Sequence, residues 1–248
     1  MGLFDKILGK KEEKISSYAD FWKWFITHEE AFFKTVRDAK DIELNFFEKL
    51  SPKLQQLNEE FYFLTGMSAA DQAELIFTPD GILKNIVFVE ELVAAAPVLG
   101  RWKFTALKPE SDDVHMGIRM GDFTFDDESL AFYPVNHSAY PDEVDLVITH
   151  KDYQEEHMST LVQGVYIFMD NYLGELRSVT AIDNLRVASV DSAEQELIPI
   201  TKLKDYLIWR EKEFLEKYEG LRHNTEADSY TALEAEMEDG SPWFAVVN

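Results

Sequence analysis

The stretch from His150 to His157, HKDYQEEH, gathers two imidazoles with Asp152, Glu155 and Glu156 between them. Two histidines and a carboxylate make a ligand set for zinc or a non-haem metal. The chemistry of such a centre would be metal-assisted hydrolysis. The spacing argues against one, because a strand pattern closes at His150 and a helix pattern opens at His157. The two rings therefore do not share the i, i+4 face that a helical site uses. Acids at a helix start complement its dipole, which accounts for Glu155 and Glu156 without an ion. The expectation is no bound metal, with a hydrolase built on His150, Asp152 and His157 as the alternative reading.

Other catalytic signatures are missing from the chain. It has no Gly-x-Gly-x-x-Gly, no Walker loop and no Gly-x-Ser-x-Gly elbow. The two glycines of MGIRMGD lie in strand-like sequence, where a bulge or close packing explains them better than a phosphate does. Cysteine is absent, which excludes disulfides, thiolate nucleophiles, iron–sulfur clusters and cysteine-based zinc sites. No catalytic residue and no cofactor is assigned from the sequence.

Charge is the more informative property. The 248 residues carry 24 Lys and Arg against 47 Asp and Glu, a net charge of -23. Such a chain is repelled by phosphate backbones and anionic lipid, so neither nucleic acid nor stable membrane association is expected. Residues 110–156 hold thirteen acids against Arg119 and Lys151, a net of -11. Several of these acids fall in turn sequences (PESDD, FDDES, PDEVD), where Asp and Ser also serve the backbone. Two readings stand side by side: solvated hairpin tips, or a surface that docks a basic protein. The second is the leading functional expectation, a non-catalytic interaction or regulatory protein.

Hydrophobic residues make up 46% and aromatics 13%, enough for a substantial core. The longest apolar run outside the aromatic helices, LVAAAPVL, is far short of a membrane span. Residues 1–14 lack a secretory h-region, and Lys6 breaks the myristoylation pattern, so this stretch is read as a flexible leader and the cytoplasm as the setting.

Periodicity supplies the elements that must position these groups. Tyr18, Phe21, Phe25, Phe32 and Val36 form one helical stripe, with His28 at its edge as a hydrogen-bonded core-edge residue and Asp20 as N-cap. Ile42, Phe46, Leu50, Leu54 and Leu57 space a second helix, with a restart expected at Ser51-Pro52. Strands are predicted at FYFLTG, ELIFT, RWKFTALKP, VHMGIRMG, LAFYPVN, EVDLVITH and ELRSVTAID. Three more helices are spaced by Ile82 to Ala96, by Met158 to Tyr172 with Gly174 beyond its end, and by Leu203 to Tyr218. The economical packing is an α+β domain, a mostly antiparallel sheet with helices on one face, preceded by an N-terminal helical pair. Its expected extent is residues 15–220. Residues 221–248 are read as linker plus hairpin, either the start of a further module or an edge hairpin of the main sheet.

Four runs in order, ELIFTPDG, VEELVAAAPVLGRWKFTALKP, MDNYLGE and IPITKLKDYL, resemble a family of bacterial proteins with no assigned activity. The tail HNTEADSYTALEAEMEDGSPWFAVVN resembles the opening of a domain of unknown function 695 module. The resemblance implies a domain extent and a bacterial cytosolic setting, and brings no catalytic residue. Within these runs Lys108, Asp170 and Glu175 are the polar residues singled out as partner or ligand contacts.

Overall fold

The structure, a computed structural model, describes residues 14–137, 142–222, 231–236 and 242–247. The chain divides into two compact units, one of residues 1–136 with 143–201, the other of 137–142 with 202–248. The fold is α+β, with short sheets whose pairings are mostly antiparallel.

In the first unit, helix α1 (Tyr18–Asp38) buries Phe21, Trp22, Trp24, Phe25, Phe32, Phe33 and Val36, the stripe read from the sequence. Its start differs from the expectation. Ser17 is the N-cap and accepts from the Asp20 N–H at 3.1 Å, while Asp20 reaches back to the Ser16 and Ser17 hydroxyls. Asp20 thus serves the helix start from the third helical position, where it accepts the Ser16 N–H as well as the two hydroxyls. His28 stays structural, its Nδ1 lying 2.9 Å from the Trp24 carbonyl.

The second helical segment is one π turn (Glu43–Phe47) running into α2 (Glu48–Leu54). No restart occurs at Pro52, which lies within α2. The physical reason is in the spacing. Ile42, Phe46, Leu50 and Leu54 repeat every four residues, which drifts about 40° per step on a 3.6-residue helix. A wide turn absorbs that drift, and Phe46, Leu50 and Leu54 are all fully buried.

Strands β1 (Tyr62–Ala69) and β2 (Gln72–Thr78) form an antiparallel hairpin. Helix α3 (Ile86–Ala94) then crosses to β3 (Trp102–Ala106), which pairs parallel with β2. Phe32 meets Phe46 at 4.8 Å and Phe25 meets Trp102 at 5.2 Å, both edge-to-face, within an aromatic core under this sheet. The Trp22 Nε1–H donates to the Leu92 carbonyl at 2.8 Å, fixing α1 to α3.

The rest of the first unit repeats the device. A small hairpin, β4 (Ile118–Met120) and β5 (Phe123–Phe125), turns at Gly121 with φ 60°. Strands β6 (Leu130–Val135) and β7 (Asp145–His150) pair antiparallel. Helix α4 (Met158–Leu173) and helix α5 (Glu175–Thr180) cross to β8 (Asn184–Ser189), parallel to β7. With β9 (Ile198–Pro199) the sheet order is β8-β7-β6-β9. Helix α4 packs on β4, β5 and β8 and buries Leu161, Val165, Phe168, Met169, Tyr172 and Leu173. A Cβ on Gly164 would fall inside the Phe125 ring, so only glycine lets the hairpin lie this close to α4.

The expected strand ELRSVTAID is a correction: its first six residues are helix α5, and the strand starts only at Asn184. The alternation of polar and apolar residues there is overridden because Glu175 points inward to a set of buried donors described below.

The second unit contains α6 (Leu203–Arg222) and an antiparallel pair, β10 (Thr231–Glu236) and β11 (Pro242–Val247). The strand readings of the tail are thus present. The leader over residues 1–13, the linker over 223–230 and the turn over 237–241 lie outside the described residues. Among the described residues no helix is long and apolar enough to cross a membrane.

Candidate functional site

Lys108, Asp170 and Glu175, chosen from two runs of sequence, come together beyond the ends of β2 and β3, where α4 ends and α5 begins. Glu175 is the first residue of α5 and is 0% exposed. Its Oε1 accepts from the Thr78 hydroxyl at 2.6 Å and the Gly81 N–H at 2.9 Å, and its Oε2 from the Lys108 N–H at 3.2 Å. Thr78 Oγ1 in turn accepts from the Asp80 N–H at 2.8 Å, which leaves its own proton for Glu175. The Glu175 N–H returns a bond to the Lys108 carbonyl at 2.9 Å.

Special backbone makes this convergence work. Gly174 has φ 78° and ψ 147°, and a Cβ there would lie 2.8 Å from the Glu110 nitrogen. Asp80 and Gly81 both hold positive φ, at 50° and 83°. Leu107, buried just before Lys108, has φ 64°, an unusual value for a branched side chain. Left-handed residues thus cluster around one group of charges, as strained backbone does at sites the surrounding fold over-determines.

The Lys108 side chain, 13% exposed, reaches Asp80 Oδ1 at 3.0 Å and Asp170 Oδ2 at 3.1 Å. Burial works to lower its ammonium, but the bond to Asp80 and the charge of Asp170 outweigh that and hold it above the ordinary lysine value. Burial also pushes the Asp170 carboxyl up, against the downward pull of Lys108 and Ser178, and nearby Glu175 adds to the rise. One cation is shared between Asp80 and Asp170, while from Lys108 Glu175 takes only the backbone N–H.

Asp170 also borders a cavity of about 500 Å³. Gln163, Tyr166, Ile167 and Asp170 recur at i, i+3, i+4 and i+7, one stripe of α4. Val179, Ile182, Asp183 and Leu185 line it too, together with Asp80 and Gly81. The volume is in the range of small-molecule sites.

The sign of Asp170's raised carboxyl gives a testable pH dependence. A folded pKa above the unfolded one near 4 means that the native state binds the extra proton. Asp170's own contribution to stability is then complete below that unfolded value and is lost as pH rises through the folded one. The stability of the native protein relative to Asp170→Asn is expected to fall as pH rises above about 4, the ordinary carboxylate value. Urea melts of the two proteins from about pH 4 upward check it, carboxylates away from Lys108 cancelling in the difference. A difference that is flat, or that grows with pH, contradicts it.

The histidine cluster is arranged differently. His150 is fully buried, its Nδ1 accepts from the Asp152 N–H at 3.1 Å, and its Nε2 faces the Thr124 carbonyl at 3.0 Å. Backbone thus occupies both ring nitrogens, and the tautomer that satisfies them carries its proton on Nε2. The Asp152 and His157 side chains are exposed, and His157 lies 3.5 Å from Glu156. Phe123 packs against both histidine rings, at 6.0 Å from His150 and 5.3 Å from His157. Their proximity is aromatic packing.

Thr78, Asp80 and Gly81 were not singled out in the sequence, where TPDG reads only as a turn. The signal that could have found them is the Asp-Gly pair itself, which favours consecutive positive φ and a backbone N–H turned toward an acceptor. Comparison with protein-family models, curated proteins and solved structures finds no match.

Proposed function

We propose that the chain acts by binding rather than by catalysis, as a cytoplasmic interaction protein whose acidic surface meets a basic protein partner. The observation that carries this reading is the exposure of Asp112, Asp113, Asp122, Glu128, Asp152, Glu155 and Glu156 along residues 110–156 of the first unit. The buried charges support it too, because Lys108 and Glu175 are already spent on partners within the fold. Asp126, by contrast, caps the Glu128 and Ser129 N–H groups and serves the turn.

A surface of this kind binds strongly at low salt and weakly once its charges are screened beyond about 8–10 Å. Cross-linking of lysate to the purified chain at ~50 mM salt is expected to capture a basic protein through residues 110–156, and capture is expected to vanish near ~300 mM. A variant with Asp112, Asp122, Glu128, Asp152 and Glu155 changed to their amides should keep its melting temperature and lose the partner. Absence of a partner at low salt, or capture unchanged in the amide variant, overturns the reading.

A further inference from the structure

We propose that the cavity between α4, α5 and the start of β8 binds a small organic cation, an ammonium or guanidinium carried on an apolar body. The argument starts from the two kinds of wall. Tyr166, Ile167, Met169, Val179, Ile182 and Leu185 supply apolar surface, and Tyr166 and Ile167 remain 48% and 39% exposed. Large apolar side chains on one helix stripe, half-open beside a cavity, leave room for an apolar body to cover them.

The polar wall has one sign. Asp80, Asp170 and Asp183 border the cavity, and the Lys108 ammonium bonds Asp80 and Asp170. Glu175, bonded to the Gly81 and Lys108 amides, adds a further carboxylate next to them. Asp183 accepts from the Val144 N–H at 2.7 Å, which holds the loop in place while leaving its charge at the rim. Burial raises the Asp170 carboxyl even with Lys108 beside it, so the charge there is under-compensated. A second cation in the cavity relieves that cost, whereas an anion would add to it. A neutral ligand gains the apolar contacts alone. The acidic docking surface of residues 110–156 plays no part in this inference, and either can fail without the other.

Three probes of one shape test it: phenethylamine, its neutral N-acetyl derivative and phenylpropanoate. Methyl spectra of the full chain, with labelled isoleucine, report binding at Ile167 and Ile182. Phenethylamine is expected to move those two signals and to bind at least about tenfold more tightly than either companion, the margin of one well-placed charge contact. Asp170→Asn is expected to erase that margin. Because this variant also removes a Lys108 partner, Ile182→Trp provides a second arm: it fills the cavity, and is expected to abolish binding at an unchanged melting temperature. A chain of net charge -23 attracts amines loosely everywhere. Equal affinity for the amide, shifts spread over the surface instead of at Ile167 and Ile182, or amine binding that survives Ile182→Trp each overturns the proposal.

Discussion

Glu175→Ala is expected to destabilise the protein by about 3–5 kcal/mol, the largest effect of any single truncation considered. The side chain is completely buried and accepts from the Thr78 hydroxyl and from the Gly81 and Lys108 amides. Its removal strands those donors away from water, and each orphaned group costs about 1–3 kcal/mol. The hydroxyl can turn elsewhere; the two amides cannot. Glu175→Gln keeps the shape but sets an NH2 group against a donor on one side, so its cost is expected to fall between wild type and alanine. Urea denaturation of the three proteins ranks them. An alanine variant within ~1 kcal/mol of wild type would show that the donors find other acceptors.

Gly164→Ala reverses the usual helical rule. At an exposed helical position the exchange gains up to ~1 kcal/mol. Here the new methyl enters the space of the Phe125 ring, and α4 and the β4–β5 hairpin must separate to admit it. Overpacking of this kind costs about 1–3 kcal/mol, and more where the neighbour is rigid. Phe125 is itself fully buried, so its ring has nowhere to retreat. A loss of about 3 kcal/mol is expected, with part of it recovered when Phe125→Leu is added. A double-mutant cycle measures that coupling. Unchanged or raised stability in Gly164→Ala alone would mean that the helix and hairpin are not packed as described.

The sequence disclosed what depends on local pattern. The α1 stripe, the strands β1, β2, β3, β6 and β7, the long α4 helix and the α+β class follow from spacing that each segment carries within itself. Even Lys108, Asp170 and Glu175 could be picked out as polar residues at element ends. What remained hidden is who meets whom. Nothing near Glu175 announces Thr78, and nothing near His150 announces the Thr124 carbonyl that takes one of its nitrogens. The α5 segment shows the same limit from another side. Its alternating letters suit a strand, but burying Glu175 among donors from the end of β2 and the loops after β2 and β3 decides the conformation. Likewise the π turn is visible as four-residue spacing only once Phe46, Leu50 and Leu54 are known to face one core. Bulk charge, by contrast, was legible at once, because it needs no geometry.

The partners of Glu175 lie 97, 94 and 67 residues back along the chain. Joining points so distant forfeits loop entropy before any contact offsets it, so such bonds are formed after the local helices and hairpins. The donors also do not exist as a set until β2 and β3 lie side by side. The carboxylate therefore closes on a structure already largely assembled. Interactions made after the folding barrier leave the rate of folding almost untouched and govern the rate of escape instead. Glu175 is in that sense a latch: it decides how long the chain stays folded, not how quickly it gets there.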